Sequence, residues 1–373
     1  MAPRVGAGLY LQGLPVGSPL HFERKDAIVN VRPVAPDRLP DLLRAMPKAE
    51  LHMHIEGSLE PELIFQLALR NQVPLQYPDV EALRRAYVFN NLQDFLDIYH
   101  TGTTVLRFEQ DFYDMAHAYL ARAHADNVLH TEIFFDTQTH TGHGVDAQVV
   151  VNGLHRACVD AAAEFGISAS LIMCFLRHLS EADAFEALEQ VLPLRDKILG
   201  IGLASSELGH PPEKFALVFA RCRELGFRLV AHAGEEGPPA YIWSALDVLK
   251  VERIDHGVQA IHDQALMQRL VQQQIALTVC PLSNLKLCVY PSLAEHNIGR
   301  MLQAGIVATI NSDDPAYFGG YVNENFTQTF AALGLSGQQA WQLAANSFSA
   351  SFADAHRKRQ YLDRLNGCFE TFR

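Results

Sequence analysis

Positive charge is in short supply in this 373-residue chain, with 30 Lys and Arg against 42 Asp and Glu and a formal net charge of −12. That balance argues against nucleic acid or an anionic membrane as a partner. Long apolar runs are also missing. Although 49% of the residues are hydrophobic, no window holds the ~18 uninterrupted apolar residues of a membrane span. The six cysteines include no CxxC pair, which reads as reduced thiols in the cytoplasm. Residues 1–45 lack hydrophobic periodicity and are rich in Gly, Pro and Arg. Val5 to Leu14 is mildly apolar, but Gln12, Pro15 and several glycines make a poor secretory core. The segment is expected to be an N-terminal extension, packed on the body or partly disordered, ahead of a domain spanning 46–373. Oligomeric state has no signature in the sequence.

Beyond residue 46 the chain alternates. Apolar stretches begin near Lys48, Val128, Ser170, Ile198, Arg228, Arg253, Ile275 and Ile306, and a helical pattern follows each. Near-continuous apolar strands with helical crossovers imply parallel strands covered on their outer side. Eight such units close into an α/β barrel of the (β/α)8 TIM type, here with extra helices after the first strand and at the C-terminus. An open doubly wound sheet is the rival arrangement, but it carries a Gly-rich phosphate fingerprint after its first strand. This chain has His-Met-His-Ile-Glu-Gly there.

That first stretch, Lys48 to Gly57, concentrates the interest. Read as a strand, it directs His52, His54 and Glu56 to one face and Leu51, Met53 and Ile55 to the other. Polar residues recur at the same end of later strands: His232 and Glu235 after the fifth, Asp255-His256 after the sixth, Asp313-Asp314 after the eighth. Taken singly these are unremarkable. His232 alone reads as a core histidine, and Asp313-Asp314-Pro315 alone as a turn. Barrel closure, however, gathers them over one mouth, where buried ionisable groups without a counter-charge are expensive. A divalent cation held by His52, His54, His232 and Asp313 resolves the cost. Three imidazoles and a carboxylate suit Zn2+, one per chain. Such an ion lowers the pKa of water to about 7. Glu235 can stand beside it to move protons, His256 can orient the nucleophile, and Asp314 can contact substrate.

With these groups assembled, the chain resembles the adenosine/adenine deaminase family of the metal-dependent amidohydrolases. The likeness runs from Lys48 to Phe352 through H-M-H-I-E-G-S, S-S-E-L-G-H-P-P, H-A-G-E-E, D-H-G, C-P-L-S-N and N-S-D-D-P, in that order. It implies zinc on His52, His54, His232 and Asp313, and Glu235 as proton donor to purine N1. It also implies His256 and Asp313 as guides for hydroxide, and Asp314 as a contact to N7. Glu56 stands where adenosine deaminases carry Asp, and with the Ser206 motif it resembles the adenine deaminase branch. The resemblance therefore implies a small-molecule purine substrate, with adenine converted to hypoxanthine in purine salvage. Adenosine or N6-substituted adenines are the alternatives. Binuclear relatives use a modified lysine after the fourth strand, where this chain has Ala204-Ser205, so one metal is expected. The cytidine-deaminase-like class needs P-C-x-x-C, which is absent.

Overall fold

The computed structural model describes residues 34–372. Of the expected N-terminal extension, residues 1–33 lie outside the described residues. The remainder includes a short helix, Leu39–Ala45, whose Leu42 and Leu43 are buried in the main core.

Eight parallel strands follow in sequence order around the sheet: β1 (Lys48–His54), β2 (Val128–Phe135), β3 (Ser168–Leu176), β4 (Gly200–Ala204), β5 (Arg228–Ala233), β6 (Arg253–His256), β7 (Ala276–Val279) and β8 (Val307–Ile310). Closure between β8 and β1 is made just past the end of β8. Asp313 N donates to His52 O at 3.1 Å, His54 N donates to Asp313 O at 2.8 Å, and the Asn311 side chain accepts from Leu51 N at 2.8 Å. A residue expected to serve chemistry thus also stitches the barrel shut.

The strands are apolar because both faces are covered. Their outward side chains join the helices in one large core that includes Leu51, Met53, Ile133, Leu203, Leu229 and Ile254. Inside the barrel, Phe134, Ile172, Cys174, Ala204 and Val230 form a separate plug. Below the plug, Arg253 is buried against Glu132, which also takes His130 Nε2 at 3.2 Å, while Arg253 donates to Leu51 O at 3.1 Å. A third apolar cluster lies apart from both. Leu92, Phe95, Leu96 and Tyr99 on the helix Leu92–Thr103 meet Leu287, Tyr317 and Phe318 above the strand ends, making a roof. No helix among the described residues is long and apolar enough to cross a membrane.

Candidate active site

β1 ends at His54, two residues before the anticipated Glu56. The following Glu56–Ser58 is a turn of 3-10 helix. His52 and His54 project inward from alternate positions of β1, and His232 arrives from β5 across the barrel. Asp313 follows β8. Their ligand atoms all lie within 4.8 Å of one another. His52 Nε2 is 3.3 Å from Asp313 Oδ1, and His54 Nε2 is 3.6 Å from the same oxygen. His54 Nε2 and His232 Nε2 face each other at 3.1 Å.

This donor set fits a cation on two observations. His52 Nε2 is buried and makes no hydrogen bond, a costly arrangement for an imidazole unless something else takes its lone pair. The other nitrogen, Nδ1, is held by Thr278 O at 3.1 Å and Thr278 Oγ1 at 3.0 Å. That contact fixes the ring with Nε2 aimed at the cluster, as ligating histidines are fixed elsewhere. Three nitrogens and one carboxylate oxygen are the donors zinc prefers.

The electrostatics follow from burial. Desolvation, with the neighbouring rings, holds His232 well below the usual histidine range, lowers His54 to about 4 and lowers His256 to about 3. Burial opposes charge on His52 as well, but the Asp313 carboxylate outweighs it and the net shift is upward. Neutral imidazoles are the ligating form. Burial, reinforced by Asp313, raises Glu235 well above the usual carboxyl range. Asp314 rises for the same reasons.

Around the cluster, His256 Nε2 lies 3.5 Å from Glu235 Oε2 and 3.7 Å from Asp313 Oδ2. His256 (φ 62°) and Asp313 (φ 64°) both occupy left-handed backbone conformations, so both of these inward-turning residues carry backbone strain. Asp314 rests against Gly57: a Cβ there would fall 2.6 Å from the Asp314 Cβ. Glycine at 57 is what lets the segments that follow β1 and β8 approach.

His54, His232, Glu235, His256, Asp313 and Asp314 all line one cavity, roofed by Leu92, Phe95, Leu96, Tyr99 and Phe318. His52 sits just beneath, fully buried. Two residues singled out from sequence are placed differently. Glu56 lies behind the wall, its carboxylate taken by His140 Nε2 at 3.0 Å and by the Tyr99 hydroxyl at 3.3 Å. Ser206 Oγ donates to Gln93 Oε1 at 3.0 Å and so ties the loop after β4 to the roof helix. Its neighbour Ser205 lines the cavity instead.

Sequence reasoning assigned no role to Glu207. It is buried, and its carboxylate accepts the backbone N–H groups of Gly234, Glu235, Glu236 and Gly237 at 2.6, 3.1, 2.9 and 2.8 Å. It thereby shapes the loop that carries Glu235. Asp255 was likewise left without a role. It stands 3.5 Å from His232 Nδ1 and accepts from Thr278 Oγ1 at 2.9 Å. Its position next to His256 on a buried strand was the available signal.

Residues 47–368 match the profile of the family described as adenosine deaminase. A protein named adenine deaminase from Albidiferax ferrireducens is 75% identical over 344 residues, covering 92% of this chain and all of the relative. The crystal structure of an adenine deaminase from Arthrobacter aurescens superposes with a TM-score of 0.86 at 51% identity, covering 87% of this chain and all of that one. An amidohydrolase from Burkholderia ambifaria, solved with bound Zn, gives a TM-score of 0.83 at 26% identity, covering 91% of this chain and 96% of its own. The chain belongs to the adenosine deaminase family.

Proposed function

We propose that this protein is a zinc-dependent adenine deaminase, converting adenine and water to hypoxanthine and ammonia in purine salvage. The observation that carries the reading is the convergence of His52, His54, His232 and Asp313 within 4.8 Å, with Glu235, His256 and Asp314 facing the same cavity. Relatives as similar as 75% bear the name adenine deaminase, and a more distant amidohydrolase holds Zn.

His52, His54, His232 and Asp313 would hold the zinc, which when bound would supply Lewis acidity and bring the pKa of a water to about 7. The chain's own residues do the rest. Burial favours the acid form of Glu235, the form that can give a proton to purine N1 as electron density collects there. Asp313 and His256 orient the attacking oxygen toward C6. Asp314, whose acid form burial also favours, donates to N7. Once the C6–O bond has formed, the C6–N6 bond breaks. Protons from the nucleophile pass through Glu235 and His256 to the departing amine, which leaves as ammonia. Six free cysteines, four of them buried, support a cytoplasmic enzyme.

The test is formation of the 6-oxopurine product, followed by absorbance, by purified zinc-loaded protein from adenine, adenosine and N6-methyladenine; the amine released is ammonia from the first two and methylamine from the third. Adenine should be turned over fastest. Equal or faster turnover of adenosine overturns the substrate assignment. Glu235→Gln should retain zinc and lose ~10²–10⁴-fold in kcat, the usual contribution of a positioned proton donor. His232→Ala should lose metal and stability together.

A further inference from the structure

One carboxylate in the cavity wall has no part in the chemistry above. Asp136 follows the last residue of β2, is 5% exposed and lines the cavity. Its Oδ1 accepts from Thr139 N at 2.6 Å and its Oδ2 accepts from Thr139 Oγ1 at 3.0 Å. A carboxylate has about four acceptor sites, so roughly half of its capacity is unused. Its surroundings offer little to fill it. Phe135 pairs with Met173 on β3, so Asp136 comes level with the Cys174 thiol, a weak donor. The Tyr99 hydroxyl and His140 Nε2 are both engaged by Glu56. Burial, then the charge of Glu56, pushes Asp136 up to about 6, as expected of a buried acid short of donors. A buried acceptor in a ligand cavity with spare capacity is a feature that a ligand N–H can complete.

The barrel order, taken with the proposed N1 and N7 contacts, indicates which edge of the ligand reaches it. Strands β8, β1 and β2 are consecutive around the closed sheet, and β5 lies opposite. In the orientation proposed above, N1 faces Glu235 after β5 and N7 faces Asp314 after β8. The five-membered ring is then turned toward the β8–β1–β2 wall. Going round that ring from N7, the next nitrogen is N9, on the side of β2.

We propose that Asp136 reads the free base by accepting the N9–H of the purine, so that it selects an unsubstituted ring nitrogen over N9-substituted nucleosides. The proposal rests on the deaminase reading. An N9-substituted purine has no proton to give at that position and brings bulk against a wall backed by the Glu56–Tyr99–His140 group. A site built to bond a substrate N–H rejects analogues that lack it by ~10⁴–10⁵-fold, far beyond what shape alone achieves.

The experiment compares adenine with 9-methyladenine, which differ only at the atom in question. Wild-type protein should favour adenine in kcat/KM by on the order of 10⁴-fold. In Asp136→Ala, kcat/KM for adenine should fall by roughly 10–200-fold, the usual consequence of losing a charged hydrogen bond. Turnover of 9-methyladenine should stay level or rise, so the preference shrinks. Asp136→Asn keeps an acceptor for Thr139 N and should lie between the two, guarding against a turn that collapses in the alanine variant. A parallel loss on both substrates, with the preference unchanged, overturns the assignment and leaves Asp136 as a structural residue. So does a wild-type protein that accepts 9-methyladenine as readily as adenine. If wild-type protein releases no ammonia from adenine, the deaminase reading itself has failed, an outcome separate from either of these.

Discussion

The loop that carries Glu235 is set by a buried acid, and replacing that acid by its amide is the sharpest probe of the site's construction. In wild-type protein one oxygen of Glu207 accepts from Gly234 N, and the other accepts from Glu235, Glu236 and Gly237 N. Glu207→Gln preserves shape but turns one oxygen into a donor. If the new amide group takes the position facing three N–H groups, all three lose their acceptor. If it flips, Gly234 loses its own. A buried donor left unsatisfied costs about 1–3 kcal/mol, and bonds that lose charge assistance weaken by about half. The half-buried Glu236 amide can turn to water, so the net cost works out at about 2–4 kcal/mol. Part should appear as a lower urea midpoint. The rest should appear as lost turnover, because displacement of a catalytic group by ~1 Å can cost ~10²-fold. The assay is ammonia release alongside zinc content and urea titration: zinc should be retained, kcat should fall about 10²-fold and KM should move less. Full activity at an unchanged midpoint would show that the four bonds do not position Glu235.

Other perturbations test the remaining parts. Gly57→Ala places a methyl group against the Asp314 side chain; it should lower kcat/KM by about 10²-fold while zinc content is unchanged, and wild-type kinetics would refute the close approach. Below the plug, burial opposes ionisation of Glu132, but Arg253 and His130 outweigh it and hold the group at about 2 against an ordinary 4.5. A depressed carboxyl contributes stability that is complete above about pH 4.5 and is lost as pH falls toward 2, at most about 3 kcal/mol here. Glu132→Gln should flatten that acid limb and, by leaving Arg253 with only the more distant Asp255 carboxylate at 3.7 Å, cost up to about 3–5 kcal/mol at neutral pH. Urea titrations at pH 7, 4 and 3 measure both effects, and an unchanged pH slope would refute the pairing. Removal of metal by chelation should abolish turnover and lower Tm, with zinc restoring both; activity that survives complete chelation would refute the metal centre.

The barrel was legible because its signal repeats: eight apolar runs, each with a helix behind it, admit few arrangements. The cluster was legible because polar residues at the ends of buried strands have no other economical explanation. What escaped has physical causes. Leu92, Phe95, Leu96 and Tyr99 follow the same helical spacing whether they pack on a core or roof a cavity, so periodicity located the helix but not its role. Glu56 shares a pleat position with His52 and His54, yet the chain leaves the strand at His54. Alternation therefore stops predicting direction two residues too early. Glu207 works through backbone N–H groups 27 to 30 residues away, and backbone amides carry no identity in a sequence. Asp136 ends an apolar run as the metal ligands do, but one carboxylate at a strand end also reads as a turn.

The barrel holds two buried polar groups of opposite character, and the contrast separates support from chemistry. Below the plug, Glu132 bonds both Arg253 and His130, Ser168, Leu51 O and Phe352 N add further bonds, and Arg253 Nε, the one atom of the group without a hydrogen bond, lies 3.7 Å from the Asp255 carboxylate. Those charges are neutralised within the protein, so the cluster has little left to offer a ligand. At the mouth, His52 Nε2, Glu235 Oε1 and Asp314 Oδ1 are buried with no hydrogen-bond partner, and His256 and Asp313 are held in strained backbone. A fold that neutralises the charges of one set within the protein while leaving several groups of the other unpartnered beside its cavity has kept bonding capacity where a cation and a substrate can use it. The same reasoning ranks the two by expected response to mutation. Conservative changes below the plug should be read in stability, whereas those at the mouth should be read first in metal content and turnover.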